Sequence, residues 1–219
     1  MFRIKVCGIT SVEDALATAG AGADAIGLNF FPPSPRFVET QTARAISDAT
    51  PSLLKIGVFV NAGAEAIRAA VDAAGLDAIQ LHGDEAPAFL DQLAPLPIIR
   101  AFRCPAGLEA AGTYIAACHT RPRAAVVDAF TLTAYGGSGK TANWQAIAAT
   151  RRSLQGIPLI LAGGLNSTNL AEAIIAVQPD GVDVASGVEI EPGRKDREKI
   201  REFVRIALRE LRSGEPRNP

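Results

Sequence analysis

A thiol, a carboxylate, an arginine and two glycine pairs stand out in this chain as side chains and turns able to do chemistry. Cys7 ends the short run Lys5-Val6-Cys7 and is followed at once by Gly8. A thiol between a strand's end and a helix's start serves as a base or nucleophile when a cation or helix terminus favours its thiolate. The plain alternative is a small buried apolar side chain. Asp128 ends the apolar run Ala124-Ala125-Val126-Val127, many residues before the next helical stripe. General acid or base work therefore suits it better than helix capping. Arg36 follows Pro35 in a proline-rich loop that restricts where it points, and its guanidinium can grip a carboxylate with two prongs. A salt bridge to a neighbouring loop is the other reading of Arg36. Gly163-Gly164 and Ser186-Gly187 each close an apolar run, where glycine lets backbone N–H groups and a short helix terminus approach an anion. Gly136-Gly137-Ser138-Gly139-Lys140-Thr141 ends like a nucleotide-binding loop, but that pattern needs glycine where Ala134 stands. It reads instead as a flap hinged at Gly136 and Gly137, with Lys140 reaching an anion.

These residues need a scaffold, and apolar runs alternate with helical stripes along the whole chain. Strands are expected at Ile4 to Cys7, Ala25 to Phe30, Leu53 to Val60, Ala78 to His82, Ile98 to Phe102, Ala124 to Asp128, Pro158 to Ala162 and Gly181 to Ala185. A helix follows each. The first is expected to open on a capping box of Thr10 and Glu13, and the last carries Ile200, Phe203, Val204, Ala207, Leu208 and Leu211 on one face. Eight such units predict a (β/α)8 barrel in one domain over residues 1–212, with 213–219 a frayed tail. An open doubly wound sheet is the runner-up. In a barrel the chemistry lies at the carboxyl ends of the strands. That criterion collects Cys7, Asn29, Arg36, Asn61, His82, Gly83, Arg100 with Phe102, Asp128, and the glycines after strands seven and eight, where barrels often bind phosphate. Lys5 and Asp183 lie inside strands one and eight, which neighbour each other in a closed barrel. An unpaired buried charge is costly, so the two are expected to pair, with Asp183 also in reach of a substrate hydroxyl.

Composition narrows the partners. The 219 residues are 48% hydrophobic and 21% charged with a net charge of -1, giving no basic surplus for nucleic acid. No apolar run approaches the ~18 residues of a membrane span, and Met1-Phe2-Arg3-Ile4 leads straight into a strand without a signal peptide. Three dispersed cysteines (Cys7, Cys104, Cys118) and two histidines (His82, His119) match no metal site, so no metal is expected. Free thiols point to the cytoplasm. A monomer is favoured because no long apolar stripe is left over, with a homodimer possible.

Taken together, Lys5-Val6-Cys7-Gly8-Ile9-Thr10, Ser34-Pro35-Arg36, Gln80-Leu81-His82-Gly83, Gly136 to Thr141 with Trp144, Leu161-Ala162-Gly163-Gly164-Leu165, Val184-Ala185-Ser186-Gly187-Val188-Glu189 and Gly193-Arg194-Lys195-Asp196 resemble the phosphoribosylanthranilate isomerase family. The resemblance runs from the first strand to the last helix. It implies a cofactor-independent Amadori rearrangement of a small phosphorylated substrate in tryptophan synthesis. By the same resemblance Asp128 is the general acid that opens the ribose ring, Cys7 the general base at C2′, and Arg36 the partner of the anthranilate carboxylate. His82, Gly83 and Asp183 would contact substrate, and Gly163, Gly164, Ser186 and Gly187 would cradle its phosphate. Two departures stand out: Ala142-Asn143-Trp144 replaces a frequent Phe-Asp-Trp, and Ala185 replaces a frequent serine. A histidine-pathway isomerase with aspartate in place of Cys7 is the nearest rival, and a silent ligand-binding barrel the rival from another class.

Overall fold

The computed structural model describes residues 2–104, 106–128 and 143–213. Its eight parallel strands are β1 (Ile4–Cys7), β2 (Ala25–Asn29), β3 (Leu54–Phe59), β4 (Ala78–Leu81), β5 (Ile98–Arg103), β6 (Ala124–Asp128), β7 (Leu159–Ala162) and β8 (Gly181–Val184). They close in chain order into one barrel, β8 pairing with β1. Around them lie α1 (Val12–Ala21), α2 (Thr40–Ala49), α3 (Ala64–Ala74), α4 (Glu109–Ala116), α5 (Trp144–Ala149), α6 (Leu170–Val177) and α7 (Arg197–Ser213). Helix α7 runs through Ser213, where the tail was expected to begin, and residues 214–219 lie outside the described part. No helix among the described residues is long and apolar enough to cross a membrane.

Strand alternation divides the apolar side chains into two cores. Ala25, Ile56, Ile99, Ala101, Val126, Ile160 and Ala162 fill the barrel, while Ile4, Val6, Ile26, Leu28, Val127 and Leu161 face the helices. Lys5, Cys7, Asp128 and Asp183 have the parity of the inner set. Gly27 makes the room they need: a Cβ there would sit 2.6 Å from Cys7 Sγ and 3.1 Å from Lys5 Cε.

Two local expectations are corrected, and one element is new. Ser11, not Thr10, caps α1, its hydroxyl accepting from the Asp14 N–H at 3.2 Å. Thr10 instead donates to the Gly193 carbonyl, so it is engaged by a distant loop. Between β4 and β5 the chain forms a 3₁₀ segment, Pro87–Leu93, in place of an α-helix. Pro95 follows closely and disfavours helical backbone at Ala94, so the segment stops at Leu93. Finally, an antiparallel hairpin of β9 (Glu189–Glu191) and β10 (Arg194–Lys195) is inserted between β8 and α7.

Candidate active site

At the carboxyl end of the barrel a cavity of about 300 Å³ is lined by Cys7, Gln80, His82, Asp128, Gly163, Gly164, Asp183, Ala185 and Ser186, among others. Its floor is the expected charge pair. Lys5 stands opposite Asp183 in the β1–β8 register and donates to Asp183 Oδ2 at 2.8 Å with no exposure of its own. Burial opposes the Lys5 charge, but the neighbouring Asp183 and then Cys7 outweigh it and raise the lysine's pKa. Asp183 Oδ1 is buried without a hydrogen-bond partner. An acceptor in that condition at a cavity wall is set to receive a ligand's hydroxyl.

Cys7 and Asp128 are both half-buried on this one cavity, at the ends of β1 and β6. The other two thiols do not line this cavity. Burial pushes Cys104 up to about 11, and Cys118 donates to the Tyr114 carbonyl on its own helix. His82 follows β4, with Gln80 Nε2 3.2 Å from its Nδ1. Burial and then the neighbouring Lys5 charge lower its pKa, so the imidazole is neutral near pH 7.

Two glycine-rich loops form one wall. Gly163 and Gly164 take positive φ of 90° and 66°, accessible to glycine at little cost. Gly187 does not line the cavity; it is where the loops touch, since a Cβ there would fall 1.9 Å from the Leu165 carbonyl oxygen. Gly83 plays a similar part between the β3 and β4 loops, its Cβ position lying 2.3 Å from Asn61 Oδ1. Asn61 itself receives the Asp84 N–H and donates its own N–H to Glu85, so it ties loops together.

Arg36 is engaged rather than open. Its Nε and Nη2 donate to Glu189 Oε1 at 2.8 Å and Oε2 at 2.6 Å, the salt bridge to a neighbouring loop that was the alternative reading. Arg100, expected at the mouth, lies in the layer between barrel and helices. It is buried, donates to the carbonyls of Leu81, Ala101 and Gly83, and stacks over Phe102 and Tyr114. Parity explains the correction: Arg100 alternates with the inner Ile99 and Ala101 and must face outward. The same rule assigns Arg103 to the inner face, beside Asp128 in the β5–β6 register. Gln80 also follows from parity with His82. Glu189 and Lys195 sit on the hairpin and had no strand-end signal. Gly136, Gly137 and Lys140 of the expected flap lie outside the described residues. Among the described residues no three His, Cys, Asp or Glu side chains are grouped to hold a metal.

The family model for N-(5′-phosphoribosyl)anthranilate (PRA) isomerase matches residues 4–206. An isomerase of that name from Myxococcus xanthus is 45% identical over 208 residues, 94% of this chain and 95% of its own. The chain belongs to the phosphoribosylanthranilate isomerase family. Another isomerase, from Pelobacter propionicus, is 44% identical over 99% of this chain and 100% of its own. The crystal structure of the Thermotoga maritima isomerase superposes with a TM-score of 0.83 at 38% identity, over 95% of this chain and 99% of that one. A further isomerase structure, at 36% identity and TM-score 0.79 over 95% and 99%, is a complex with reduced 1-(o-carboxyphenylamino)-1-deoxyribulose 5-phosphate. Of the departures from the family pattern, Asn143 caps α5 through its side chain, so that substitution keeps a helix start, and Trp144 is buried beside it. Ala185 lines the cavity without a hydroxyl.

Proposed function

We propose that Cys7 and Asp128 divide the proton transfers of the isomerase reaction, Cys7 as general base and Asp128 as general acid. The reaction converts N-(5-phosphoribosyl)anthranilate to 1-(2-carboxyphenylamino)-1-deoxyribulose 5-phosphate, a step of tryptophan biosynthesis. Protonated Asp128 gives its proton to the furanose oxygen as the C1′–O bond breaks, and the nitrogen lone pair forms an iminium. Cys7 thiolate then takes the C2′ proton, and the released electron pair makes the enolamine and neutralises the nitrogen. Tautomerisation of the enolamine to the ketone moves a proton from the C2′ hydroxyl to C1′. One proton is given and one taken, so proton exchange with water restores both groups. The oxidation change is internal to the sugar, and no cofactor is needed.

What carries this reading is that a thiol and a carboxyl group share one cavity, with a buried ammonium beside the thiol. An adjacent cation is the setting in which thiols act as bases. Arg36 takes the anthranilate carboxylate, Asp183 and His82 take sugar hydroxyls near Gly83, and Gly163, Gly164 and Ser186 take the phosphate, with Gly187 holding their two loops together. The chain works as a cytoplasmic monomer on this reading, although one Thermotoga maritima relative is described as dimeric. Loss of fluorescence of freshly prepared phosphoribosylanthranilate tests it. Wild type turns over, and Cys7→Ser and Asp128→Asn each fall at least about 100-fold. An inert wild type overturns the activity, and wild-type rates in either variant overturn the roles.

A further inference from the structure

Glu189 and Lys195 lie between three parts of the mouth and take no share in the proton transfers. Glu189 is 6% exposed, and its two oxygens receive the Nε and Nη2 of Arg36 in a fork. The same Oε1 receives Lys195 Nζ at 2.8 Å. Lys195, 3% exposed, also donates to the carbonyls of Cys7 at 2.6 Å and Ala185 at 3.2 Å. One buried carboxylate thus connects the arginine beyond β2 to the backbone at the ends of β1 and β8.

The fork has a geometric consequence. A guanidinium can present its Nε–Nη2 edge or its Nη1–Nη2 edge to a carboxylate. Glu189 occupies the first, so only the second is free to face a ligand. The stem of Arg36 is confined as well: its Cδ lies 2.4 Å from where a Cβ on Gly8 would be, so the side chain crosses that glycine closely. A strut that only held the hairpin down would not require both oxygens on one face of the arginine.

We propose that Glu189 is a positioning residue that determines which edge of Arg36 meets the substrate's carboxylate, and that Lys195 ties this setting to the backbone of Cys7 and Ala185. The proposal rests on the reading of Arg36 as the carboxylate's partner. Glutamine at 189 keeps the size but supplies one acceptor in place of two, so the fork is lost and the guanidinium is free to turn.

The test compares two probes: reduced 1-(o-carboxyphenylamino)-1-deoxyribulose 5-phosphate, which carries the carboxylate, and inorganic phosphate, which does not. Glu189→Gln should weaken the first about tenfold, the size of one lost charged hydrogen bond, and change the second by less than about twofold. In an Arg36→Ala background the same substitution should cause no further loss, because Glu189 acts through Arg36. An additive loss in that background, an equal weakening of inorganic phosphate, or unchanged analogue binding in Glu189→Gln overturns the proposal. Unchanged analogue binding in Arg36→Ala overturns the carboxylate reading itself, and the proposal with it. Should Glu189→Gln fail to fold with Lys195 left unpaired, Glu189→Gln combined with Lys195→Met removes both charges and is read against the same outcomes.

Discussion

Side chains at this mouth take their roles from the neighbour each one faces. Lys5 is an ammonium with no exposure, tolerated because Asp183 and Cys7 answer it. Removing Asp183's charge strands that ammonium, so Asp183→Asn should cost about 3–5 kcal/mol in urea unfolding near neutral pH. A cost below about 1 kcal/mol would contradict the pair's importance. The pH dependence has a definite sign. A lysine whose folded pKa is raised contributes stability that is full below its ordinary value of 10.5 and is lost as pH climbs through the folded value. The gap between wild type and variant should therefore narrow as pH climbs through that alkaline range. This pair was legible in the sequence because strand parity and barrel closure bring positions 5 and 183 together. The partner of Arg36 was not: Glu189 lies 153 residues away on a hairpin whose strands are too short to announce themselves.

Whole elements were readable where apolar runs were long, and less so where the chain turned. All eight strands follow from near-continuous apolar stretches, which a buried parallel sheet demands. The α-helix expected after β4 is a 3₁₀ segment that ends before Pro95, while Leu90 and Leu93 still reach the core. At the β7 and β8 loops the glycines predicted for an anion prove to have two tasks. Gly163 and Gly164 shape the cavity wall, whereas Gly187 lets one loop lie against the backbone of the other. Gly187→Ala meets a carbonyl oxygen, which has no rotamer with which to yield. The loops must part, and affinity for inorganic phosphate measured by calorimetry should fall about tenfold, equivalent to about 1.4 kcal/mol. Retained affinity would remove these loops from the phosphate's account.

Across the whole molecule the barrel acts as a sorting device, sending alternate side chains to a filled interior or to the helical layer. It gathers residues more than a hundred positions apart, Cys7 from the first strand and Asp128 from the sixth, onto one cavity. That gathering was foreseeable from eight regular units. The misplacement of Arg100 came from reading strand ends without parity, and Arg103 beside Asp128 is the cation that parity selects. The division of labour between Cys7 and Asp128 is the central claim, and turnover of Cys7→Asp measured beside Cys7→Ala tests it most directly. A base can be replaced by another base. The aspartate variant should keep measurable turnover, while Cys7→Ala is inactive. A Cys7→Asp as inactive as Cys7→Ala, or an active Cys7→Ala, would contradict a general base at Cys7.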